Sequence, residues 1–415
     1  MSHKIAIVGA GPSGCYTAQT LVKILPDAEI TIIDQLPTPF GLVRYGVAPD
    51  HQGTKAVSRQ FSRLFEKQGV CYIGNLEVGR DLPLPDLQEM MDAVVLATGL
   101  HADRTLDVEG CNLDRIYGSG EVTRYWNAHP DSENFEPEFG ETVIILGNGN
   151  VAVDLIRLLA KSEDEFSGSD FNPALVNHAV KTIHVIGRSP LETAKFDPAM
   201  IRELGAVQGL SCQLAAGDKL QVTEDNQISV ALNELFSRPN SKTDKTLMFH
   251  SGWQTERFNP SDNRVSSITV RNTTSDAMKD IECSSVISAI GFDHSGDIDR
   301  KGLLLNAEAI GDGVLSPGLF AAGWFKRGPN GTIPQNRQDS QQVANKIKEW
   351  LENTSPEKPG RSAILERFSK SVTSYEDWLT IDEIETRFAA ANRCRQKISS
   401  RELMMNAIEQ QRNVS

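Results

Sequence analysis

The sequence predicts an α/β protein of two domains with similar construction, the second inserted into the first. Two stretches, 4–34 and 142–188, each contain an apolar strand, a glycine-rich turn, a helix and then another apolar strand. A further apolar segment, 285–290, is followed by a glycine and so resembles residues 94–99, which also end in a glycine. It indicates where the chain passes back toward the first domain. Strands that alternate with helices in this way are typical of parallel sheets.

The first stretch carries the pattern G-x-G-x-x-G directly after its strand. Gly9 permits a tight turn, Gly11 lets the backbone approach a pyrophosphate, and Gly14 lets the helix pack closely on the strand. The second strand ends in Asp34, twenty residues after Gly14. A carboxylate there can accept hydrogen bonds from both ribose hydroxyls and would repel a 2′-phosphate. This stretch therefore predicts a Rossmann-like site for FAD or NAD.

The second stretch repeats the pattern with a different ending. Its turn, 147–152, reads GNGNVA, so alanine replaces the third glycine, a variant that the pattern allows. The strand that follows ends in Gly187, Arg188 and Ser189 rather than in an acid. Arg188 would lie where a 2′-phosphate binds and Ser189 can donate a hydrogen bond to it, which favours NADP(H). A solvated arginine in a turn is the alternative interpretation.

Together the two patterns predict two Rossmann-like nucleotide-binding domains of the three-layer β/β/α type, with the NADP domain inserted into the FAD domain. We expect residues 1–101 and 320–415 to form the FAD-binding domain and residues 102–319 the NADP-binding domain. A flavin held by one domain and a nicotinamide held by the other predict hydride transfer between the two cofactors.

Composition excludes several classes of protein. The chain has 415 residues and a formal charge of −13, which argues against nucleic acid or an acidic membrane as the main partner. No apolar run approaches the roughly 20 residues of a membrane-spanning helix, so we expect a soluble, cytoplasmic protein without an integral membrane segment. The six cysteines form no CxxC pair, which argues against a zinc site and a redox-active disulfide.

The rest of the chain gives weaker signals. Residues 37–51 are rich in proline and glycine but carry many apolar side chains, and we expect them to pack over a flat cofactor ring. Residues 162–178 and 236–263 read as polar loops, and 227–235 and 265–271 read as antiparallel strands. The C-terminal tail is helical in pattern, with Trp378 as an expected anchor.

Three motifs resemble those of the adrenodoxin reductase family, whose members are NADPH–ferredoxin reductases of the glutathione-reductase structural class. The motifs are FGLVRYGVAPDH at 40–51, GNGNVAVD at 147–154 and GWFKRGPNGTI at 323–333. The resemblance is colinear along nearly the whole chain, and it includes SYEDWLTID at 374–382. It implies a ferredoxin–NADP(+) reductase with non-covalently bound FAD, which takes a hydride from NADPH and passes single electrons to a ferredoxin-like iron–sulfur protein.

The resemblance also implies roles for individual residues. Contacts to FAD are implied for Gly9, Gly11, Ser13, Gly14, Asp34, Leu42, Val78, Trp324, Gly331, Thr332 and Ile333. Contacts to NADP are implied for Asn148, Gly149, Asn150, Val151, Arg188, Ser189, Glu203 and Gly331. His51 and Asp154 match a catalytic pair near the flavin that positions groups or manages protons. A loop histidine that caps the backbone is the alternative interpretation of His51.

The sequence departs from the family at one position, because two consecutive arginines are usual where this chain has Arg188 and Ser189. Loss of one charge-assisted contact of roughly 1.5–3 kcal/mol would relax the preference for NADPH by about ten- to a hundredfold. Lys195 lies close enough in sequence to compensate. The candidate cations for docking an acidic ferredoxin are Arg44, Arg238, Lys242, Lys245, Lys326 and Arg327. Arg238, Lys242 and Lys245 are equally well explained as residues that keep a surface loop soluble.

Two other functions are compatible with the same residues. The chain would keep its fold if it were an NADPH-dependent flavoenzyme that acts on a small molecule. It would also keep its fold if it were a catalytically idle nucleotide-binding module that senses redox state.

Overall fold

A computed structural model of the chain contains two compact units. The first consists of Met1–Ala102, Asn127–Glu133 and Phe292–Ser415, and the second of Asp103–Trp126 and Asn134–Gly291. The structure describes residues 2–238, 244–307, 309–331, 333–369 and 371–413.

Strands and helices alternate through much of the chain. The strands are β1 (Lys4–Val8), β2 (Glu29–Ile33), β3 (Cys71–Ile73), β4 (Ala93–Leu96), β5 (Ala102–Asp103), β6 (Ile116–Gly118), β7 (Thr142–Leu146), β8 (Thr182–Gly187), β9 (Leu210–Leu214), β10 (Lys245–Ser251), β11 (Trp253–Ser261), β12 (Arg264–Asn272), β13 (Met278–Glu282), β14 (Ser285–Ser288), β15 (Phe292–Asp293), β16 (Val314–Ser316) and β17 (Leu319–Ala321). The α-helices are α1 (Pro12–Ile24), α2 (Leu42–Tyr45), α3 (Gln52–Lys55), α4 (Ser58–Lys67), α5 (Leu84–Met90), α6 (Ser119–Trp126), α7 (Asn150–Ala160), α8 (Pro198–Leu204), α9 (Gln227–Phe236), α10 (Arg300–Leu305), α11 (Trp324–Arg327), α12 (Ile333–Leu351), α13 (Arg361–Phe368), α14 (Tyr375–Arg387) and α15 (Arg401–Arg412).

The first unit is built on a six-stranded sheet in the order β16-β17-β4-β1-β2-β3. Its strands are parallel except for β16, which pairs antiparallel with β17. The side chains of β1 alternate between two cores, because successive residues of a strand point to opposite faces. Ile5 and Ile7 pack with α1, α12, α14 and α15, while Ala6 and Val8 pack with α5, α11 and α13. The first unit therefore buries both faces of its sheet.

The second unit has three layers. A parallel sheet in the order β6-β14-β7-β8-β10-β9 carries the three-stranded antiparallel sheet β11-β12-β13 on one face. Ile144, Ile186 and Val286 of the parallel sheet share a core with Ile268 and Val270 of the antiparallel sheet. Helices α6, α7, α8 and α9 belong to the same unit. The two parallel sheets with alternating helices confirm the predicted α/β fold with two Rossmann-like units.

The course of the second unit differs from the prediction in two places. Residues 227–235 were expected as a strand but belong to α9, which Asn226 caps by accepting hydrogen bonds from the N–H groups of Ile228 and Ser229. Alternating Ile228, Val230 and Leu232 suggested a strand, but the buried stripe is Ala231, Leu232 and Leu235, which is helical spacing. Much of the loop expected at 236–263 is strand, because β10 and β11 occupy 245–251 and 253–261.

The chain re-enters the first unit at Phe292, earlier than the return expected at 320. The reason is contacts that residues 292–300 make within this unit: Phe292 stacks on Trp324, Ile298 joins the core on one face of the sheet, and Arg300 donates to the carbonyl of Phe325 at 2.6 Å. The short segment Asn127–Glu133 also belongs to this unit. There the Asn127 amide nitrogen donates to the carbonyl of Val47 at 3.0 Å.

Candidate functional site

The first glycine-rich turn joins β1 to α1 at the carboxyl end of the parallel strands. Gly9 has a φ of +111°, and a Cβ there would lie 2.5 Å from the carbonyl oxygen of Ala97. A Cβ on Gly14 would lie 1.9 Å from the carbonyl oxygen of Gly9, so glycine is needed for α1 to pack this closely. A Cβ on Gly11 would meet nothing within 4 Å. No described side chain caps α1 at Gly11, so the turn offers open space and helix N–H groups to a phosphate.

Asp34 is held in a fixed position at the end of β2. It is only 8% exposed, and its two carboxylate oxygens accept hydrogen bonds from the N–H groups of Ala10 at 2.7 Å and Leu36 at 2.9 Å. Burial raises the pKa of Asp34, and these two N–H donors oppose that shift. Each carboxylate oxygen has a further lone pair, so Asp34 can also accept hydrogen bonds from ribose hydroxyls.

A cavity of about 490 Å³, including its open mouth, lies beside this carboxylate within the first unit. Three of the predicted site residues line it, namely Gly9, Asp34 and Val78. The structure thus brings together residues that the sequence separates by up to seventy positions.

Further polar residues that were not predicted also line the cavity, among them Thr98, His101 and His294. The Thr98 hydroxyl is buried and has no hydrogen-bond partner among the described residues. His294 Nε2 lies 2.9 Å from the carbonyl oxygen of Ile298, and burial lowers the pKa of this histidine. When Nε2 donates to that carbonyl in the neutral ring, Nδ1 can accept a hydrogen bond, and it is buried and unpartnered in the described part of the chain.

The loop that precedes α2 packs onto the glycine-rich turn. The N–H of Phe40 donates to the carbonyl of Ala10 at 3.1 Å, and a Cβ on Gly41 would lie 3.1 Å from the Cα of Gly11. Phe40 is buried with a φ of +81°, which is strained backbone for an aromatic residue. Leu42 begins α2 and is 36% exposed. The loop therefore presents an apolar side chain beside the turn, where a flat ligand could be covered.

Contacts from the C-terminal helices hold this loop in place. The Arg44 guanidinium pairs with Glu385 at 2.5 Å and lies 4.8 Å from the ring centre of Trp378. Although burial alone would raise it, the pKa of Glu385 lies below its usual range because of Arg44. Lys397 donates to the carbonyl oxygen of Arg44 at 3.0 Å. Because Arg44 and Glu385 are both buried, the pair is a structural clamp.

Ser13, Trp324 and Gly331 lie in a second cluster of the first unit. Gly323 has a φ of +65°, and a Cβ there would lie 1.8 Å from the Ser13 hydroxyl oxygen. Trp324 follows and stacks on Phe292 with ring centres 6.0 Å apart. Its indole N–H is buried without an acceptor among the described residues. Gly331 has a φ of +94°.

The last two predicted FAD residues follow Gly331 directly. Thr332 lies outside the described residues, and Ile333 is the first residue of α12.

These features fit a dinucleotide such as FAD. The space at Gly11 is open to a ligand, and Asp34 can accept hydrogen bonds from a ribose. The buried Thr98 hydroxyl and Trp324 indole N–H need partners, because an unpaired buried polar group costs about 1–3 kcal/mol.

The second glycine-rich turn, between β7 and α7, repeats the geometry of the first. Gly147 has a φ of +122°, and a Cβ there would lie 2.4 Å from the carbonyl oxygen of Ala289. A Cβ on Gly149 would meet nothing within 4 Å, and no described side chain caps α7 at that residue. Asn150 and Val151 form the first turn of α7. The turn can therefore accept a second pyrophosphate.

The end of β8 carries the residues that are expected to distinguish NADP(H) from NAD(H). A Cβ on Gly187 would lie 1.6 Å from the amide nitrogen of Asn148, so glycine makes room for that side chain. The amide nitrogen and oxygen of Asn148 are both buried and unpartnered among the described residues. Arg188 and Ser189 are exposed. A cation and a hydroxyl donor are therefore accessible to an anionic ligand at this strand end.

Asp154 and Glu203 share one arginine in the second unit. Arg157, which is 2% exposed, pairs with Asp154 at 2.8 Å and with Glu203 at 3.5 Å. Asp154 thus belongs to a charged cluster on α7 and α8. His51 lies in the first unit, where it is half-buried and precedes α3. The catalytic role of His51 and Asp154 stays a prediction.

The proposed docking cations are mostly not surface groups. Arg44 is buried in the clamp, and the Lys326 side chain, 6% exposed, is paired with Asp339. Lys245 donates to the carbonyls of Leu159 and Asn177 at 2.7 and 2.9 Å, and burial lowers its pKa.

The other three candidate cations differ from one another. Arg238 is exposed but donates to the carbonyl of Gly205, and Arg327 donates to Asn336 at 2.6 Å. Lys242 lies outside the described residues. The expectation that Arg44, Lys245 and Lys326 form a docking surface was wrong, because their charges are used inside the fold.

Two of the cysteines are held in their protonated form. Burial raises the pKa of Cys212 and of Cys283 to about 12, so both are protonated thiols. Within the described residues, no three side chains of the histidine, cysteine, aspartate and glutamate type come together as metal ligands. A search of the same residues finds no helix with the length and apolar character needed to cross a bilayer.

Comparison with known proteins gives one consistent result. The profile of the pyridine nucleotide-disulphide oxidoreductase family matches residues 3–323. Cindoxin reductase of Citrobacter braakii is 43% identical over 404 residues, which are 95% of this chain and 88% of that protein. The mitochondrial NADPH:adrenodoxin oxidoreductase of Arabidopsis thaliana is 31% identical, over 97% of this chain and 95% of that protein.

Solved structures agree with the fold. FprA, an oxidoreductase of Mycobacterium tuberculosis, superposes with a TM-score of 0.90 in its complex with NADPH. The match covers 99% of this chain and 100% of FprA, at 23% sequence identity. At that identity the likeness establishes the shared fold.

Proposed function

The chain belongs to the pyridine nucleotide-disulphide oxidoreductase family, in the group of the NADPH:adrenodoxin oxidoreductases and cindoxin reductase, and we propose that it is an NADPH–ferredoxin oxidoreductase. It is a flavoenzyme that uses FAD and NADP(H). The observation that carries the proposal is a pair of matching glycine-rich turns whose second strands end differently, in Asp34 and in Arg188.

In this proposal FAD occupies the first unit. Asp34 accepts hydrogen bonds from the ribose, and the turn at Gly9, Gly11 and Gly14 receives the pyrophosphate. The support is the open space at Gly11 and the cavity beside Asp34 and Val78. When bound, FAD supplies the ring that accepts two electrons from NADPH and releases them singly.

The flavin end of the cofactor is assigned to the second cluster of this unit. Trp324 would donate its unpaired indole N–H, and Ser13 would contact the cofactor beside it. Leu42 would cover the ring from the loop that the clamp holds in place. Gly331, Thr332 and Ile333 complete the assignment as residues implied by the family resemblance.

NADPH occupies the second unit in the same proposal. The turn formed by Asn148, Gly149, Asn150 and Val151 would hold the pyrophosphate, and Arg188 with Ser189 would hold the 2′-phosphate. The support is the open space at Gly149 and the exposure of Arg188 and Ser189. Glu203 and Gly331 are assigned to the nucleotide by resemblance.

His51 and Asp154 are proposed to position groups or hold protons near the flavin. Asp154 is suited to a fixed role because Arg157 orients its carboxylate at 2.8 Å. No side chain needs to act as a nucleophile, because the proposed work of the protein is alignment and electrostatics.

The proposed electron acceptor is a ferredoxin-like iron–sulfur protein. The support is the printed names of the relatives, which are reductases of adrenodoxin and cindoxin. A cytoplasmic location is part of the proposal and is open to test, because the Arabidopsis relative is named as mitochondrial. Cell fractionation with an antibody to the chain would check the location.

Anaerobic stopped-flow mixing tests the proposal in two steps. Purified protein reconstituted with FAD is mixed with NADPH, and we expect rapid bleaching of the visible flavin band. The reduced protein is then mixed with ferredoxins from the same source, and we expect reoxidation of the flavin with reduction of the partner. Absence of bleaching would show an idle nucleotide-binding module. Bleaching without transfer to any ferredoxin would favour a small-molecule acceptor.

A further inference from the structure

The segment that follows Arg188 runs back along the second glycine-rich turn. The N–H of Lys195 donates to the carbonyl oxygen of Asn148 at 3.1 Å, and Lys195 forms a parallel bridge with Gly149. Two residues later, the N–H of Asp197 donates to the side-chain oxygen of Asn150 at 2.7 Å. The backbone of Lys195 therefore lies beside the turn itself, at the N-terminus of α7.

Arg188 lies on the other side of Asn148. The Asn148 side chain packs against Gly187, the residue before Arg188, while its main-chain carbonyl faces Lys195. The Arg188 carbonyl accepts from the Thr273 hydroxyl at 3.4 Å, which places Arg188 against the β12–β13 hairpin. The two cations therefore flank different parts of the same site.

Lys195 is exposed, and the space beside its backbone is suited to an anion. A Cβ on Gly149 would meet nothing within 4 Å, and the first turn of α7 contains no acidic residue. The buried, unpartnered amide of Asn148 borders the same turn and needs a polar partner. A lysine ammonium is a compact charge on a flexible side chain, and it can bind a phosphate group without the planar, bidentate geometry of an arginine guanidinium.

We propose that Lys195 binds the pyrophosphate of the nicotinamide dinucleotide, whereas Arg188 binds the 2′-phosphate. This inference rests on the proposed function of the second unit. The pyrophosphate is common to NADP and NAD, so Lys195 strengthens the binding of both. Lys195 therefore does not replace the second arginine that Ser189 removes, and the weakened preference for NADPH remains.

The test separates the two phosphate sites with fragments of the nucleotide. Full-length protein saturated with FAD is titrated calorimetrically with ADP, which has the pyrophosphate alone, and with 2′-AMP, which has the 2′-phosphate alone. NADP⁺ and NAD⁺ are titrated in parallel. The variants are Lys195→Met, Lys195→Arg and Arg188→Ala. Lys181→Met is the matched control, because Lys181 is an exposed cation at the opposite end of β8 and pairs with Glu141.

We expect Lys195→Met to weaken ADP, NAD⁺ and NADP⁺ by roughly tenfold or more and to leave 2′-AMP unchanged. Arg188→Ala should weaken 2′-AMP and NADP⁺ and leave ADP and NAD⁺ unchanged. Lys195→Arg should restore ADP binding, and Lys181→Met should bind all four ligands like the wild type.

Two results would overturn the inference while leaving the proposed function in place. One is unchanged ADP affinity in Lys195→Met. The other is a loss of 2′-AMP affinity in that variant as large as the loss in Arg188→Ala. A wild-type chain that binds neither NADP⁺ nor ADP would overturn the proposed function itself, and this inference with it.

Discussion

The two glycine-rich turns have almost the same backbone but different surroundings. Gly9 and Gly147 have φ values of +111° and +122°, and a Cβ on either would lie 2.5 or 2.4 Å from a carbonyl oxygen of a neighbouring strand end. The strand that follows the first turn ends in Asp34, which is buried and accepts two backbone hydrogen bonds. The strand that follows the second ends in Arg188 and Ser189, which are exposed.

This difference separates two tasks that one motif performs. The turn supplies space and N–H groups for any pyrophosphate, and the strand end selects the sugar. A buried, fixed carboxylate suits a resident cofactor that seldom leaves. Exposed side chains suit a nucleotide that must arrive and depart in each catalytic cycle.

The largest effect is expected when the third glycine of the first turn, Gly14, is replaced. In Gly14→Ala the added Cβ would meet the Gly9 carbonyl oxygen at 1.9 Å, so α1 must shift away from the turn. We expect the purified variant to retain less than about a tenth of the FAD of the wild type, which corresponds to about 1.4 kcal/mol or more. The ratio of flavin to protein absorbance measures this. Gly53→Ala is the control, because a Cβ there meets nothing within 4 Å, and normal FAD content in Gly14→Ala would contradict the expectation.

Acid should destabilise the second unit. Burial lowers the pKa of His250 to about 3, and Lys279 and His184 add to this shift. The unfolded chain then binds more protons than the folded one below the ordinary histidine pKa, so stability is complete above about pH 6.5 and falls on acidification. We expect a loss of about 2 kcal/mol by pH 5, measured by chemical unfolding. His250→Asn should reduce that loss.

Asp34, in the first unit, should respond to pH in the direction opposite to that of His250. Burial raises the pKa of Asp34, so its stability contribution falls as pH rises through the ordinary aspartate range. Hydrogen exchange measured by mass spectrometry should therefore show that acidification to pH 5 accelerates the opening of β8 and β10 more than that of β1 and β2. Equal acceleration in the two pairs of strands would contradict this contrast.

The strand ends can also be made more different in charge. Ser189→Arg adds a second fork for the 2′-phosphate, and we expect the ratio of kcat/KM for NADPH to that for NADH to rise by about tenfold. Thr193→Arg adds the same charge at an exposed position nearby and is the control. A similar rise in both variants would mean that general attraction, not contact, sets the preference.

The smallest effect on nucleotide binding is expected at the counterpart of Gly14 in the second unit. Residue 152 is already an alanine and is fully buried, so this turn accommodates a Cβ. Ala152→Gly should cost about 1 kcal/mol of helix propensity and about 0.8 kcal/mol for the buried methyl group in thermal unfolding, and NADP⁺ affinity should be retained. A large loss of NADP⁺ affinity would show that the second turn also depends on its third position.

Local patterns made the two turns predictable from sequence. Each of Gly9, Gly11, Gly14 and Asp34 acts through neighbours that are close in the chain or paired by strand register, so spacing alone located them. Thr98, His101 and His294 were missed because separate strand ends bring them to the cavity, and no spacing records that. Thr98 followed a recognised apolar strand, which was the one available signal.

Burial of charge was the other property that the sequence did not reveal. Arg44, Lys245 and Lys326 were predicted to lie at the surface because isolated cations usually do. Each instead has partners inside the fold, such as Glu385 for Arg44. The helix at 227–236 was missed for a related reason, since its apolar residues fit both periods and only the buried face decides between them.

The clamp on Arg44 has a consequence for the order of assembly. Its partner, Glu385, is 341 residues further along the chain, and Lys397 follows still later. During synthesis the loop at 37–46 must therefore wait for α14 before it has its final contacts. The cofactor pocket begun by the first forty residues is completed by nearly the last thirty. Binding of FAD should consequently be a late, post-translational event. Chains that terminate before α14 should therefore be purified without bound flavin.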